Sequence, residues 1–265
     1  MINIFYHFLT LFVPLYFKYK ESIGEKEIYD PFSVHLFESE ILSTSNFKIF
    51  DNDLKSFNGI ISRTIIIDNI LKEEFKKNDY DFVANIGCGL DFRNRRLSIK
   101  LPWYNVDLPE VIEYRNKIVD RTASEFNIPG NILDPKFISS FPQGKGIFIF
   151  EGILMFFTKD QVYWILKKIA SNFPDSLIIL EVCPEQIINI KNMNESIQAL
   201  GENILFKWGN NDPHKIENEI ENLVYENGFK IMDALKNRWS FLKTPTDEEM
   251  NIFNNFRINK YKIKI

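Results

Sequence analysis

The segment that most constrains the fold is a short apolar run that ends in two glycines one residue apart. Residues 83–91 read VANIGCGLD. Glycines at this spacing let the backbone turn sharply after a strand and leave no side chain between the turn and a ligand. Asp107 follows a second apolar segment, 103–106, and a carboxylate one strand away from such a turn can accept both hydroxyls of a ribose. The pair predicts a nucleoside-containing ligand at the carboxyl edge of a parallel sheet, against the alternative of a plain strand–helix turn.

The glycine segment lacks the features of phosphate-binding loops. A dinucleotide fingerprint needs a third glycine three residues after the second, and Phe92 occupies that position. Asp91 places a negative charge where a phosphate would be repelled, and no Gly-Lys-Ser/Thr of a Walker loop follows. S-adenosylmethionine has an adenosine, a sulfonium and an amino acid head but no phosphate, so it is the cofactor that fits this turn best.

A long amphipathic helix is predicted before the glycine segment. Apolar residues recur at three- and four-residue steps over residues 54–77, the period of a helix face. Arg63 lies four residues before Ile67, on or beside that apolar face. Two interpretations stay open: the side chain snorkels from the face to solvent, or it is a cation directed at an anionic ligand group near the sheet edge.

Strand-like and helix-like segments alternate through the rest of the chain. This alternation predicts an α/β fold with a doubly wound, mostly parallel seven-stranded sheet, whose ligands bind at the carboxyl ends of the strands. We expect an amino-terminal helical cap over residues 1–78 and one compact core over 79–265. The predicted strands are 82–86, 103–106, a short one ending near 131–134, 146–150, 176–182, 229–235 and 239–242, and the predicted helices are 109–124, 159–172 and 212–227.

Four acidic residues, Asp91, Asp107, Asp134 and Glu151, follow strand-like segments and should gather along one sheet edge. Glu151 interrupts a run that is otherwise apolar from residue 147 to 157, apart from Gly152. A carboxylate there is unfavourable unless it faces a cleft or a cation. It either caps the next helix or pairs with a lysine, or it contacts the ammonium or sulfonium region of the cofactor.

The composition limits the classes of partner that the chain can bind. The net charge is −4, so the sequence gives no support to a basic surface that would bind a nucleic acid. The two cysteines, Cys88 and Cys183, are far apart and without metal-ligand spacing, so no metal is predicted and a reducing cytoplasm is the simplest location. Residues 1–17 are apolar but have neither the basic start nor the small-residue end of a secretory signal, and they are short for a membrane span. We predict a buried amino-terminal helix or lid there.

Several motifs follow one another along the chain. They are TLFVPLYFK at 10–18, YDPF at 29–32, Arg63-Thr64 with Asp68, NIGCGLDFR at 85–93 with Arg96-Leu97, WYNVDLPEVI at 103–112, EGILMFF at 151–157, and FKWG at 206–209 with Asp212-Pro213. In this order they resemble the leucine carboxyl methyltransferase-like family of S-adenosylmethionine enzymes, most closely its bacterial branch related to the tetracenomycin polyketide O-methyltransferase. The resemblance runs from near the amino terminus to about residue 240, with small departures at Cys88, Phe92 and Phe157.

The resemblance implies a class I methyltransferase, with a Rossmann-like core, that binds S-adenosylmethionine. It implies that Arg63, helped by Lys18, holds the methionine carboxylate through charge-assisted hydrogen bonds, and that residues 1–20 fold over the cofactor. The other implied contacts are Gly87 and Gly89 at the methionine and ribose, Asp107 at the ribose hydroxyls, Asn131, Ile132 and Asp134 in the adenine-binding stretch, and Glu151 at the amino group.

The function implied is O-methylation of a small-molecule hydroxyl or carboxyl. A carboxylate needs no general base, whereas an alcohol or phenol benefits from one. His214 and Tyr16 are the candidate bases, and Tyr16, Trp208 and Phe156 are candidates for an aromatic acceptor pocket, with surface exposure or core packing as the alternatives. Two other functions stay open: carboxyl methylation of a protein or peptide, and a cofactor-binding module without catalysis. Neither a nucleic acid nor a membrane is expected as a partner.

Overall fold

A seven-stranded sheet in the order β3-β2-β1-β4-β5-β7-β6 forms the centre of the fold. The computed structural model describes residues 2–39, 42, 44–77, 79–190, 205–240, 242 and 245–264. The strands from β1 to β5 pair in parallel, and β7 runs antiparallel to β5 and β6. The predicted fold class is therefore confirmed. The strands are β1 Phe82–Ile86, β2 Trp103–Asp107, β3 Glu125–Pro129, β4 Gly146–Phe150, β5 Leu177–Val182, β6 Leu223–Lys230 and β7 Arg257–Ile263.

Helices cover both faces of the sheet and the carboxyl edge. The predictions for residues 54–77 and 159–172 agree with the helix bounds. The second of these begins at a capping box, in which the Thr158 and Gln161 side chains bind each other's backbone N–H groups, so its start is encoded locally. The helices are α1 Ile2–Ile23, α2 Pro31–Glu38, α3 Leu54–Lys77, α4 Arg93–Arg96, α5 Pro109–Ile118, α6 Lys159–Asn172, α7 His214–Glu219 and α8 Asp247–Asn254.

The core lies on the two faces of the central strands. Every residue of β1, β4 and β5 is buried, which explains why these strands are continuous apolar runs. On one face Phe82 and Phe148 pack against Phe173, which follows α6. On the other face Ile147 belongs to the same cluster as Ile67 of α3. The helices α3 and α6 therefore cover opposite faces, as a doubly wound sheet requires.

Two predicted boundaries around the third strand are wrong. The helix predicted over 109–124 ends at Ile118, where Val119 takes an extended conformation (φ −146°, ψ 126°). The third strand ends at Pro129, before the predicted 131–134. Pairing with β2 fixes its register, Trp103 opposite Glu125 and Asp107 opposite Pro129. The segment after Pro129 is a turn, in which the Asp134 N–H donates to the Asn131 carbonyl at 2.9 Å.

The predictions for the last part of the chain are also wrong. The helix predicted over 212–227 stops at Glu219, and residues 223–230 form β6. The strand predicted over 229–235 is replaced after Lys230 by a 3-10 turn, and Lys236–Trp239 forms another; in the strand predicted over 239–242, Phe241 lies outside the described residues. Antiparallel pairing with β7, whose paired residues are 27 to 40 positions away, overrides the local helical pattern, as tertiary context often does.

The amino-terminal helices pack over the sheet edge. Phe12, Leu15 and Phe17 of α1 are buried in an apolar cluster that also contains Ile61 of α3. Arg238 binds Glu21 of α1 at 2.7 Å, so α1 is also tied to the carboxyl-terminal half. In the part of the chain that the structure describes, no helix combines the length and apolarity needed to cross a bilayer. The proposed boundary between a cap at 1–78 and a core at 79–265 stays a prediction, and its endpoints Met1 and Asn78 lie outside the described residues.

Candidate functional site

A cavity of about 1110 Å³ opens at the carboxyl ends of β1, β2, β4 and β5. Its volume exceeds the roughly 300–1,000 Å³ of a typical small-molecule site, so it has room for a cofactor and a second ligand. Helices α1 and α3 complete its wall. The structure brings together at this wall most residues that the sequence singled out: Lys18, Arg63, Gly87, Gly89, Asp107, Asn131, Ile132 and Glu151.

The glycine turn after β1 has the left-handed backbone that the sequence predicts. Gly87 has φ +65° and Gly89 has φ +48°, values that side chains with a Cβ rarely adopt. A Cβ at Gly87 would lie 2.2 Å from Cδ1 of Ile153, and one at Gly89 would lie 3.2 Å from Cδ2 of Leu11. The turn is therefore constrained both by its conformation and by the protein groups that pack on it.

Asp107 holds this turn from the neighbouring strand. Its Oδ2 accepts the Gly89 N–H at 2.8 Å and its Oδ1 accepts the Leu108 N–H at 2.8 Å. Burial raises the pKa of Asp107 above its ordinary value, and these two hydrogen bonds oppose the shift. Each carboxylate oxygen has a further lone pair, so the side chain can position the turn and also accept two ligand hydroxyls.

Arg63 reaches from α3 into the cavity and meets two carboxylates. Its Nε donates to Oε1 of Glu151 at 2.9 Å, and its Nη1 donates to both oxygens of Glu181 at 3.0 Å. Burial alone would lower the pKa of Arg63, but Glu181 and Glu151 raise it above its ordinary value. The side chain is 14% exposed and does not extend along the surface. Of the two alternatives for Arg63, a side chain that snorkels to solvent and a cation at the sheet edge, the geometry agrees with the second.

Glu181 is a residue that sequence reasoning missed. It is the fifth residue of β5, and its Oε2 also accepts the Gly152 N–H at 2.6 Å. Burial raises the pKa of Glu181, while Arg63 opposes the shift. The sequence pattern that could have identified Glu181 is a single acid in the apolar run 177–182. The same kind of pattern singled out Glu151. The residue ties Arg63 and the turn after β4 to the neighbouring strand.

A second set of ion pairs lies behind the glycine turn. Lys18 of α1 binds Oδ1 of Asp91 at 2.9 Å, and Arg93 binds Oδ2 of the same carboxylate at 2.7 Å. Burial would raise the pKa of Asp91, but Arg93 and Lys18 hold it far below its usual range. Arg93 also donates to Glu151, whose pKa is lowered, against burial, by Arg93 and Arg63. Lys18 and Arg63 are thus linked through one buried network.

Both candidate bases lie outside the cavity wall. Tyr16 is buried between Phe37 and Phe47, and its hydroxyl donates to Asp51 at 2.7 Å; burial raises its pKa well above the ordinary value. His214 is exposed at the start of α7, where its ring contacts Glu217 and Tyr225. The structure therefore corrects both assignments, because α1 turns Tyr16 into the cap and α7 lies away from the strand ends.

Of the remaining residues that the sequence singled out, some line the cavity and others do not. Ile132 and Asn131 line the cavity, and Oδ1 of Asn131 accepts the Leu133 N–H at 2.9 Å. Asp134 is exposed and absent from the cavity wall, because its carboxylate turns to accept the Lys136 N–H at 2.9 Å; its inclusion in the adenine stretch is corrected. Of the aromatic candidates, Phe156 lines the cavity and Trp208 is buried in the core.

Beyond Glu151 the cavity wall becomes apolar. The side chains there come from the turn after β4, the segment 205–207, and the carboxyl-terminal region. Of the principal residues of this chamber the sequence singled out only Phe156, because the parts of the chamber are far apart in the chain. Its principal residues are Met155, Phe156, Phe206, Trp239, Phe253 and Phe256.

Comparisons with known proteins agree with this geometry. The profile of the family described as leucine carboxyl methyltransferase matches residues 20–170, more than half of the chain. The tetracenomycin polyketide synthesis O-methyltransferase TcmP of Streptomyces glaucescens is 19% identical over 155 residues, 57% of either chain. The S-adenosyl-L-methionine-dependent methyltransferase dpfgK of Gibberella zeae is 25% identical over 193 residues, 66% of this chain and 64% of the relative. The matches thus span less than two thirds of each relative.

Solved structures show the same fold. A candidate methyltransferase from Thermobifida fusca YX superposes with a TM-score of 0.55 at 14% identity, over 78% of this chain and 82% of that one. The PH0226 protein of Pyrococcus horikoshii OT3 gives a TM-score of 0.50 at 14% identity, over 76% of this chain and 91% of that one. At such identities the likeness concerns the architecture alone.

Proposed function

The chain belongs to the leucine carboxyl methyltransferase family of S-adenosylmethionine-dependent enzymes, and on that premise we propose that it methylates a hydroxyl or carboxyl oxygen of a small molecule. The observation that carries the proposal is the meeting, in one cavity, of Asp107 beside the glycine turn and of the Arg63–Glu151 ion pair. The first arrangement suits a ribose. The second offers a cation and an anion to an amino acid head.

The residues present fit S-adenosylmethionine. Asp107 keeps acceptor capacity for the ribose hydroxyls, and Asn131 and Ile132 flank the same end of the cavity. Arg63 uses Nε and Nη1 for Glu151 and Glu181, and no described residue is bound by its Nη2. We assign Nη2, with Lys18 nearby, to the methionine carboxylate, and Glu151 to the ammonium. When bound, the cofactor supplies an electrophilic methyl group on a sulfonium.

The protein's contribution to methyl transfer is then alignment and exclusion of water. A thioether leaves without protonation, so the chain has to hold the acceptor oxygen in line with the methyl group. The apolar chamber around Phe156 and Phe206 provides a dry place for the acceptor. The wall carboxylates Asp91, Glu151 and Glu181 are all paired with basic side chains, and we assign none of them the role of general base. His214 and His35 are absent from the wall.

We further propose a small-molecule acceptor, a cytoplasmic location and no nucleic-acid or membrane partner. The cavity volume of about 1110 Å³ and the net charge of −4 support these proposals. The name of the relative TcmP gives an O-methyltransferase of polyketide synthesis, which points in the same direction.

The test is incubation of the protein with methyl-labelled S-adenosylmethionine and a metabolite extract of the host. Label in a small organic product supports the proposal, and its release by mild alkali distinguishes a carboxyl ester from an ether. Label in precipitated protein would overturn the proposal and would support carboxyl methylation of a protein or peptide instead. Cofactor binding without any labelled product, across repeated extracts, would support the alternative that the protein is a cofactor-binding module without catalysis.

A further inference from the structure

The basic residues of the cavity wall fall into two groups. Lys18 and Arg63, near the strand ends, are neutralised by Asp91, Glu151 and Glu181 at 2.9–3.0 Å. Lys55 and Lys207 also line the cavity, but neither forms an ion pair with any residue that the structure describes. The cavity therefore carries two exposed ammonium groups without an ion-pair partner among the described residues, outside the region assigned to the cofactor.

The position of Lys55 is defined by an aromatic wall. Its Nζ lies 5.8 Å from the ring centroid of Phe253, within the range of a cation–π contact. Phe253 in turn packs against Trp239, with ring centroids 6.4 Å apart, and all three residues line the cavity. The ammonium of Lys55 thus stands at the rim of an apolar surface.

Lys207 is fixed by its backbone to another wall of the same chamber. Its N–H donates to the Met155 carbonyl at 2.7 Å. The adjacent Phe206 ring meets Phe156 edge-on at 5.5 Å. Phe206 and Phe256 pack on one apolar cluster that includes Met155, and Phe256 follows the helix that carries Phe253. The end of α8 therefore contacts both lysine environments, through Phe253 beside Lys55 and through Phe256 beside the residue that precedes Lys207.

An acidic side chain of the chamber offsets part of this charge, so that Lys55, Lys207 and Glu249 together leave a net positive charge on the wall. The carboxylate of Glu249, which also lines the cavity, accepts the Thr246 N–H at 2.8 Å and forms the capping box of α8. Its interaction with that helix start is favourable in itself, so it is engaged at the cap.

We propose that Lys55 and Lys207 form an anion-binding subsite, and that the methyl acceptor is a ring-bearing apolar molecule with an anionic group. The inference rests on the proposed function for the role of acceptor, but the subsite itself rests on the wall residues. An organic anion would gain charge-assisted hydrogen bonds from the ammonium groups and would bury its rings against Phe253, Phe206 and Phe156. A neutral molecule of the same shape would gain only the second contribution.

The test uses anilinonaphthalene sulfonate, an aromatic anion, and its neutral analogue phenylnaphthylamine as fluorescent probes. Each is titrated into the full chain saturated with S-adenosylhomocysteine, so that the cofactor end is filled. We expect Lys55→Met with Lys207→Met to weaken binding of the anionic probe about tenfold or more, or about 1.4 kcal/mol, and to leave the neutral probe unchanged. Lys72→Met, an exposed lysine of the same helix α3, is the matched control and should affect neither probe.

Unchanged binding of the anionic probe in the double variant would overturn the subsite. An equal loss for both probes would also overturn it, because the lysines would then act through the shape of the chamber. Calorimetry of S-adenosylmethionine with the wild-type chain separates the two proposals. If the cofactor does not bind, methyl transfer is refuted, while titrations of the probes without the nucleoside still decide the anion site.

Discussion

Arg63 and Glu181 form an ion pair in the cavity wall, in which the single nitrogen Nη1 of the arginine lies 3.0 Å from both carboxylate oxygens. The two residues are 118 positions apart in the chain. Since Glu151 takes Nε, the guanidinium is oriented by protein groups on two of its edges. Its Nη2 forms no hydrogen bond with any residue that the structure describes, and this is the nitrogen that we propose for the ligand carboxylate.

Replacing Arg63 by methionine should weaken S-adenosylmethionine about tenfold or more, or about 1.4 kcal/mol. The loss should shrink for methylthioadenosine, which lacks the amino acid head. Calorimetry with both ligands measures the difference. If both lose affinity equally, Arg63 does not hold the carboxylate.

The same substitution should lower the melting temperature, because Glu151 and Glu181 would be left in a buried site without their cation. Arg63→Met combined with Glu181→Gln removes one of the stranded charges. We expect this double variant to recover part of the stability but none of the cofactor affinity. Recovery of both would mean that Arg63 acts only by stabilising the fold.

Replacing Asp107 by alanine should weaken S-adenosylmethionine by about 1.5–3 kcal/mol, the scale of a hydrogen bond to a charged group. Because Asp107 also accepts the Gly89 and Leu108 N–H groups, Asp107→Asn is the control that keeps one acceptor oxygen, and it should fall between wild type and alanine. NAD and ATP should bind much more weakly than S-adenosylmethionine to the wild type. An unchanged dissociation constant in Asp107→Ala would mean that the residue is structural.

Replacing Gly87 by alanine should destabilise the turn and weaken the cofactor. The new Cβ would lie 2.2 Å from Cδ1 of Ile153, and the left-handed backbone adds about 1–2 kcal/mol. Ile153→Ala in the same chain removes the contact with Cδ1 but leaves the Cβ of residue 153 at 3.0 Å and the backbone strain, so it should restore only part of the loss in the free energy of unfolding measured in urea. Full restoration would show that packing alone demands the glycine.

Glu125 should make stability depend on acid pH. Burial would raise its pKa, but Arg95 and Asn94 lower it to about 2, whereas an unfolded glutamate titrates near about 4.3. The folded pKa is thus depressed, so the contribution is complete above about pH 4.3 and is lost as the pH falls toward 2. Wild type and Glu125→Gln should therefore differ most in free energy of unfolding near pH 6, and the difference should shrink by pH 3. The control is Glu221→Gln, an exposed residue, and a constant difference for Glu125 would contradict the prediction.

The sequence by itself determined those features that depend on neighbouring residues. The apolar runs of β1, β4 and β5, the periodicity of α3, and the glycines before Asp91 act over a few positions, so their patterns predict strands, a helix and a turn. The order of these elements predicts the doubly wound sheet, which is confirmed, as is the resemblance to the family. The same reasoning placed Asp107 and Glu151 at the sheet edge, and the assignment of their ligand contacts stays a prediction.

Tertiary structure alone decided the features that depend on distant residues. Residues 223–227 fall within the predicted helix but belong to β6, because β7 supplies the backbone hydrogen bonds of an antiparallel ladder. Tyr16 turns into the cap toward Asp51, and Glu181 reaches Arg63 from another strand. The apolar chamber of the cavity is likewise assembled from three separate regions of the chain. Such contacts form only when whole elements pack against each other. Because their free energy depends on residues that are distant in the chain, no local segment of the sequence predicts them.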